Sequence, residues 1–242
     1  MFRGLARIQQ TFFDAHMIAH VMPTLLRVGL PNTILLAVLA SLIGMVVGLA
    51  IATGLLARPA VVRLACRVYV DILRGLPHIL TIYLIGQGLP IAGISLFGND
   101  TYAYAALSIG LIEGAYMAEI FRAGLQSVER GQIEAARTLG MTRWQTMRDI
   151  ILPQGIRRVL PPLTGQFILV IKGTALVFLL GLTSSQREIF SIAQDSAINN
   201  ANLSPLTAAG ILYLALTVPM TYAVNAWERR LHGERQGGRA DV

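Results

Sequence analysis

Two ionisable side chains stand where ionisable side chains are costly. Glu113 lies near the middle of the segment Thr101 to Phe121, whose only other charged residue is Glu119. Lys172, the only lysine in the chain, lies near the middle of the 28 residues between Arg158 and Arg187. A charge at the centre of a bilayer costs at least about 2.5–3.5 kcal/mol on insertion scales, so such a group should face protein, a cavity or an opposite charge. The two signs are opposite and the two depths similar. One arrangement is a buried Glu113–Lys172 pair that only sets helix register. Another is a solute path lined by both groups, with Tyr116 and Thr174 as neighbouring cavity residues; a free amino acid brings one ammonium and one carboxylate and would complement them. A pair formed across a dimer is the third. Glu119 is six residues after Glu113, about 120° round a helix. It therefore leaves that stripe and sits three residues before Arg122, the spacing of a surface ion pair.

Other chemistries are excluded by residue type. Lys172 lies between Ile171 and Gly173, so the chain lacks the Gly-Lys-Ser/Thr phosphate loop and does not hydrolyse ATP by that route. One cysteine, Cys66, rules out an intrachain disulfide and a multi-cysteine metal site. His16 and His20 have helical ligand spacing without a third ligand, so no metal is expected. Neither a Ser-His-Asp order nor a metalloprotease motif occurs, and no catalytic residue is expected.

The elements that must position these groups follow from hydropathy. Of 242 residues, 54% are hydrophobic and 14% charged, with a mean hydropathy of +0.59. A soluble domain carries about 25% charged residues. Arg27 and Arg58 enclose 30 residues without an Asp, Glu, Lys or Arg; Arg74 and Asp100 enclose 25, and Asp195 and Glu228 enclose 32. A spanning helix needs about 20 mainly apolar residues. The reading is an all-α integral membrane protein with five transmembrane helices near 28–55, 76–97, 102–121, 160–182 and 205–226. Residues 1–23 form an outer N-terminal segment, 24–228 the five-helix domain, and 229–242 a cytoplasmic tail. Ala40, Gly44, Gly48 and Ala52 place a small residue every fourth position of the first span, which permits close helix approach. Pro219 is expected to kink the fifth span without breaking it.

Orientation follows from arginines in short connections. Segment 57–74 holds Arg58, Arg63, Arg67 and Arg74; segment 122–158 holds seven arginines; the tail holds Arg229, Arg230, Arg235 and Arg239. The opposite side has Arg3, Arg7 and Arg187. The N-terminus is therefore expected outside and the C-terminus in the cytoplasm. The net charge of +7 is a topology signal rather than a nucleic-acid footprint, and no nucleic-acid partner is expected. The outer segment 183–204, with Arg187, Glu188, Asp195, Asn199 and Asn200, is a candidate contact for a partner.

Residues 131–153, GQIEAARTLGMTRWQTMRDIILP, describe two short helices and a turn. Gly140 suits a left-handed position that ends the first helix. Thr142 and Gln145 match a capping box that starts the second. Pro153 is expected to end it, since the residue before proline avoids the helical region. Trp144, Met147 and Ile151 share one apolar face, and Arg143 and Arg148 lie on the other. Such an element either lies in the membrane interface or docks a cytoplasmic partner.

Glu134-Ala135-Ala136, Gly140, Ile150, Leu152 and Pro153 match the EAA signature in every fixed position. The chain resembles the permease subunit of a bacterial ABC importer, of the EAA-loop, MetI-like superfamily. Arg74-Gly75-Leu76-Pro77 and the run Gly114 to Gly124 are similar to the polar amino acid uptake subfamily, whose members include histidine, glutamine and glutamate permeases. Pro161-Pro162 and Gln166-Phe167-Ile168 also fit, so that the likeness covers roughly residues 24 to 231. It implies the type I importer fold and a coupling helix, with Glu134, Ala135, Ala136, Gly140, Arg143, Trp144, Ile150, Leu152 and Pro153 forming the ATPase contact. It further implies ATPase subunits that hold ATP and Mg2+, none of it bound by this chain. A second permease copy or paralogue, a periplasmic amino-acid-binding protein and a bacterial inner-membrane location with surrounding lipid complete the expectation. A self-contained channel or secondary transporter is the alternative; it has no use for an ATPase-docking loop.

Overall fold

The computed structural model describes residues 2–237, and these are helical throughout, joined by short turns, without a strand among them. The chain begins with α1 (Phe2–Phe12) and α2 (Ala15–Thr24). Asp14 caps α2 by accepting the amides of His16 at 2.9 Å and Met17 at 3.3 Å. A π-helical turn, Leu25–Gly29, leads without a break into α3 (Leu30–Leu55). The expected first span is therefore part of a longer helical run, and residues 2–12 and 15–23 of the expected outer segment are helical as well. The end of α1 is tied to the start of the last helix: Leu203 donates its amide to the Thr11 carbonyl at 2.9 Å, and Asn202 its side-chain amide to that of Gln10 at 3.1 Å.

The central packing joins α3 to α7 (Thr101–Gln126), which Asp100 caps through the amides of Tyr102 and Ala103. The stripe Ala40, Gly44, Gly48 and Ala52 is buried, as its spacing predicts. A Cβ placed on Gly48 would lie 2.8 Å from the Met117 Cβ, and one on Gly110 would lie 2.6 Å from the Ile43 Cβ. Small residues on both helices therefore set the distance between them, and the contact is within one chain.

The second span departs from expectation. Residues 60–75, expected in a loop, form α4 (Ala60–Gly75). After a 109° bend follow α5 (His78–Tyr83), a π-turn (Leu84–Gly88) and α6 (Leu89–Ile91). The bend has a local cause: Pro77 offers no N–H and holds Leu76 extended at ψ 145°. On α4, Val61, Leu64, Val68 and Ile72 are exposed, while Val70 is buried and the Tyr69 hydroxyl donates to the Leu111 carbonyl at 2.7 Å. Counting charges along the chain missed this helix because Arg67, Asp71 and Arg74 all fall on one face of it. Among the described residues four helices are long and apolar enough to cross a membrane, and five spans result when the bent pair counts as one.

Pro153 also behaves differently from expectation. After α8 (Arg130–Thr138), the helix α9 (Arg143–Thr146) continues through a π-turn (Met147–Ile151) into α10 (Leu152–Gly173) and a 3-10 segment (Thr174–Leu180). Leu152 stays helical at φ −60°, ψ −49°. Pro153 sits in the first turn of α10, and the widened π-turn before it absorbs its missing donor and ring. A short helix, α11 (Ile189–Asn200), and α12 (Ser204–Gly237) complete the fold. Pro219 lies inside α12, which runs on past it. Of the expected tail, residues 238–242, with Arg239, lie outside the described residues.

One core gathers Leu36, Ala40, Ile82, Ile109, Val170 and Val177; a second gathers Leu25, Ile189, Ala193 and Ala208. Many large apolar side chains point outward instead, among them Leu42, Val46, Leu49, Leu214 and Tyr222. Apolar exposure on this scale marks contact with lipid or partners.

Candidate functional site

The turn between α8 and α9 has the local structure its sequence predicts. Helix α8 ends at Leu139, and Gly140 takes φ +82°. The Met141 amide donates to the Ala136 carbonyl and the Gly140 amide to the Arg137 carbonyl, each at 3.1 Å. These are the two bonds of a Schellman termination. Thr142 and Gln145 then close a reciprocal capping box, at 3.2 Å and 2.8 Å, and open α9. Between the two helices the turn projects Leu139, 84% exposed, and Trp144, 69% exposed. Glu134, Ala135, Arg143 and Pro153 are exposed, Ala136 is buried, and Ile150 and Leu152 are half-buried. The loop is fastened at its base. Arg158 donates to the Ser127 carbonyl, Gln154 donates to Gln132 at 2.7 Å, and α7 and α10 cross where a Cβ on Gly124 would strike Val159. The loop is thus fastened to both α7 and α10.

The four side chains expected along a solute path have different surroundings. Glu113 is 4% exposed, packs opposite Gly44 and accepts from the Gln166 amide at 2.5 Å. Lys172 is exposed on α10 and makes no ion pair among the described residues. The Glu113–Lys172 pair is therefore not formed within this chain; their helices present them to different surroundings. Thr174 is fully buried and donates to the Ile171 carbonyl at 2.7 Å. Tyr116 lies at the α4–α7 boundary: its hydroxyl is 3.3 Å from the His78 Nε2, and the Arg74 guanidinium sits 5.1 Å over its ring. Glu119 and Arg122 form the expected pair, with contacts of 2.5 Å and 3.0 Å.

Glu188, read from sequence as part of an exposed contact loop, is fully buried. It caps α11 by accepting from the Phe190 and Ser191 amides and the Ser191 hydroxyl at 2.5–2.6 Å, and from the Tyr213 hydroxyl at 3.0 Å. Burial pushes its carboxyl above the ordinary carboxylate range, against the pull of these donors. Glu188 followed three residues later by Ser191 was the available signal. Arg187 and Asp195 do remain at the surface, paired at 2.8 Å. Gln166, the partner of Glu113, and Arg74 and His78, around Tyr116, are further polar groups whose roles depend on contacts far along the chain.

Residues 44–233 match the model of the family described as binding-protein-dependent transport system inner membrane component. The chain is 33% identical over 210 residues to the probable amino-acid permease protein YxeN of Bacillus subtilis, covering 86% of this chain and 92% of that one. It is 33% identical over 223 residues to the glutamate/aspartate import permease protein GltK of Escherichia coli, covering 90% and 98%. It also superimposes on a chain of the crystal structure of an amino acid ABC transporter with histidines, with a TM-score of 0.79, 29% identity and coverage of 90% and 98%. The family match spans the broken second span, the turn around Gly140 and most of the last helix, and this chain belongs to that family as a multi-pass permease subunit of the ABC transporter class.

Proposed function

We propose that this chain forms the membrane path of an ATP-driven importer for a polar or charged amino acid, received from a periplasmic binding protein. Two ATPase subunits, which hold the ATP and Mg2+, dock on the turn around Gly140; this chain supplies neither nucleotide nor metal ligands. The observation that carries the reading is the docking turn itself. Two apolar side chains, Leu139 and Trp144, are held in water at the tip of a fully capped helix–turn–helix. Such exposure is unfavourable unless a partner covers it.

The second permease chain, a copy or a paralogue, packs on the open side of α10. Lys172 points out there, and Cβ atoms added at Gly165 and Gly173 would meet nothing within 4 Å. Lys172 then faces the path between the two permease chains, while Glu113 holds α10 in register through Gln166. The permease sits in the bacterial inner membrane with the docking turn and C-terminus in the cytoplasm. The relatives that are amino-acid permeases support the substrate class. Reconstitution with the ATPase and binding protein tests the reading. Uptake of an amino acid that requires both ATP and the binding protein supports it; uptake driven by an ion gradient alone replaces it with a secondary transporter.

A further inference from the structure

A cleft of about 440 Å3 opens between α4 and the last third of α7, lined by Arg67, Val70, Asp71, Glu119, Arg122 and Gln126, with Leu55 of α3 beside them. Its α7 wall is internally satisfied: Arg122 holds both Glu119 and, at 2.9 Å, Gln126. Its α4 wall is not. Arg67 and Asp71, one helical turn apart on the same face, make no hydrogen bond or ion pair with any described side chain. The same face continues to Arg74, which lies over Tyr116 beside His78.

We propose that this cleft is a release-side subsite for a free amino acid, with Arg67 holding its α-carboxylate and Asp71 its ammonium; this rests on the amino-acid importer reading above. The charge arrangement carries the assignment. The lining contains two arginines and two carboxylates, so it sums to zero and offers one unengaged cation beside one unengaged anion. That matches a zwitterion, whose opposite charges lie on adjacent carbons. A phosphate headgroup would be attracted by Arg67 but repelled by Asp71, and it would leave that carboxylate without a cation. An arginine fork suits a carboxylate bidentately, and the volume falls in the range of small-molecule sites, about 300–1,000 Å3. The cleft lies where α3 ends at Leu55 and α7 ends at Gln126, next to the start of the loop that carries the turn around Gly140.

The test uses the complete transporter in nanodiscs, with its ATPase and without the binding protein. Each of the twenty tritiated L-amino acids is measured for binding, and uptake is measured separately in proteoliposomes with the binding protein. The expected result is that the amino acid taken up also binds, that Arg67→Gln and Asp71→Asn each weaken its binding at least tenfold, and that Arg67→Lys recovers most of it. Wild type should prefer that amino acid over its α-amide, and Arg67→Gln should lose the preference, which a merely structural role would not change. Unaltered binding and uptake in both variants overturns the subsite and leaves the importer reading standing. Uptake of no amino acid by wild type overturns both. Loss of co-purified phosphatidylglycerol in Arg67→Gln, with amino-acid binding unchanged, assigns the cleft to lipid and overturns the proposal.

Discussion

Gly140 concentrates the coupling argument in one dihedral angle. Its φ of +82° is open to glycine and costs an ordinary L-residue roughly 1–2 kcal/mol. A Cβ at Gly140 would meet no atom within 4 Å, so the cost is conformational and no clash adds to it. A penalty of one or two kcal/mol lowers the ratio of the docked-competent turn to its unwound forms by about 5–30-fold. The Schellman bonds of Gly140 and Met141 are lost with the turn, and with them the placement of Leu139 beside Trp144. The assay is amino acid taken up per ATP hydrolysed in proteoliposomes containing the whole transporter. Gly140→Ala should lower that ratio by about 5–30-fold. Gly140→Asn should lower it less, because Asn tolerates the left-handed region, and Gly140→Val should lower it more. Membrane insertion and thermal midpoint should hold, since the turn lies outside both cores. Full coupling in Gly140→Val would refute the reasoning. Asn as damaging as Val would show that added bulk, not φ, is what the site resists.

Gly140→Asp should insert normally yet uncouple uptake from hydrolysis, because it adds a carboxylate to the docking face; normal uptake by this variant argues against ATPase docking there. Gly48→Val should destabilise by about 1–3 kcal/mol through overpacking against Met117, read as a lowered midpoint in detergent; an unchanged midpoint contradicts the α3–α7 crossing. Glu188→Ala should cost about 1–3 kcal/mol for each donor left unsatisfied, and Glu188→Gln less, again by thermal unfolding. Lys172→Met should reduce uptake with little change in stability, whereas Glu113→Leu should reduce both, because only Glu113 is buried and bonded; the reverse pattern would mean that Lys172 is the structural group.

The turn around Gly140 was the most legible part of the molecule. Its features are local: a left-handed glycine and a Thr–Gln capping box are each fixed within a few residues, and the structure has both; the apolar face expected of Trp144, Met147 and Ile151 is split between a short helix and a π-turn. The small-residue stripe on α3 was legible for a similar reason, since period-four spacing already places those residues on one face. The broken second span was not. Arg63, Arg67, Asp71 and Arg74 look like a charged connection when read in order, and only the packing of Tyr69 against Leu111 reveals a helix. Pro153 was misread because a proline rule describes a regular helix, and a π-turn changes the donors that have to be supplied.

Sequence alone determined that the chain lives in a membrane, roughly where it crosses, that it lacks a Gly-Lys-Ser/Thr phosphate loop, and which short loop turns at a left-handed glycine beside a capping box. Composition and spacing along one chain suffice for these. Tertiary structure decided where each isolated charge goes. Glu113 turns inward to Gln166, 53 positions away, Lys172 turns outward, Glu188 is sealed among four donors, and Arg67 and Asp71 are left facing a cleft. A buried charge is stabilised by whichever donor the fold brings to it, and that donor comes from another helix, at a distance along the chain that no local pattern encodes.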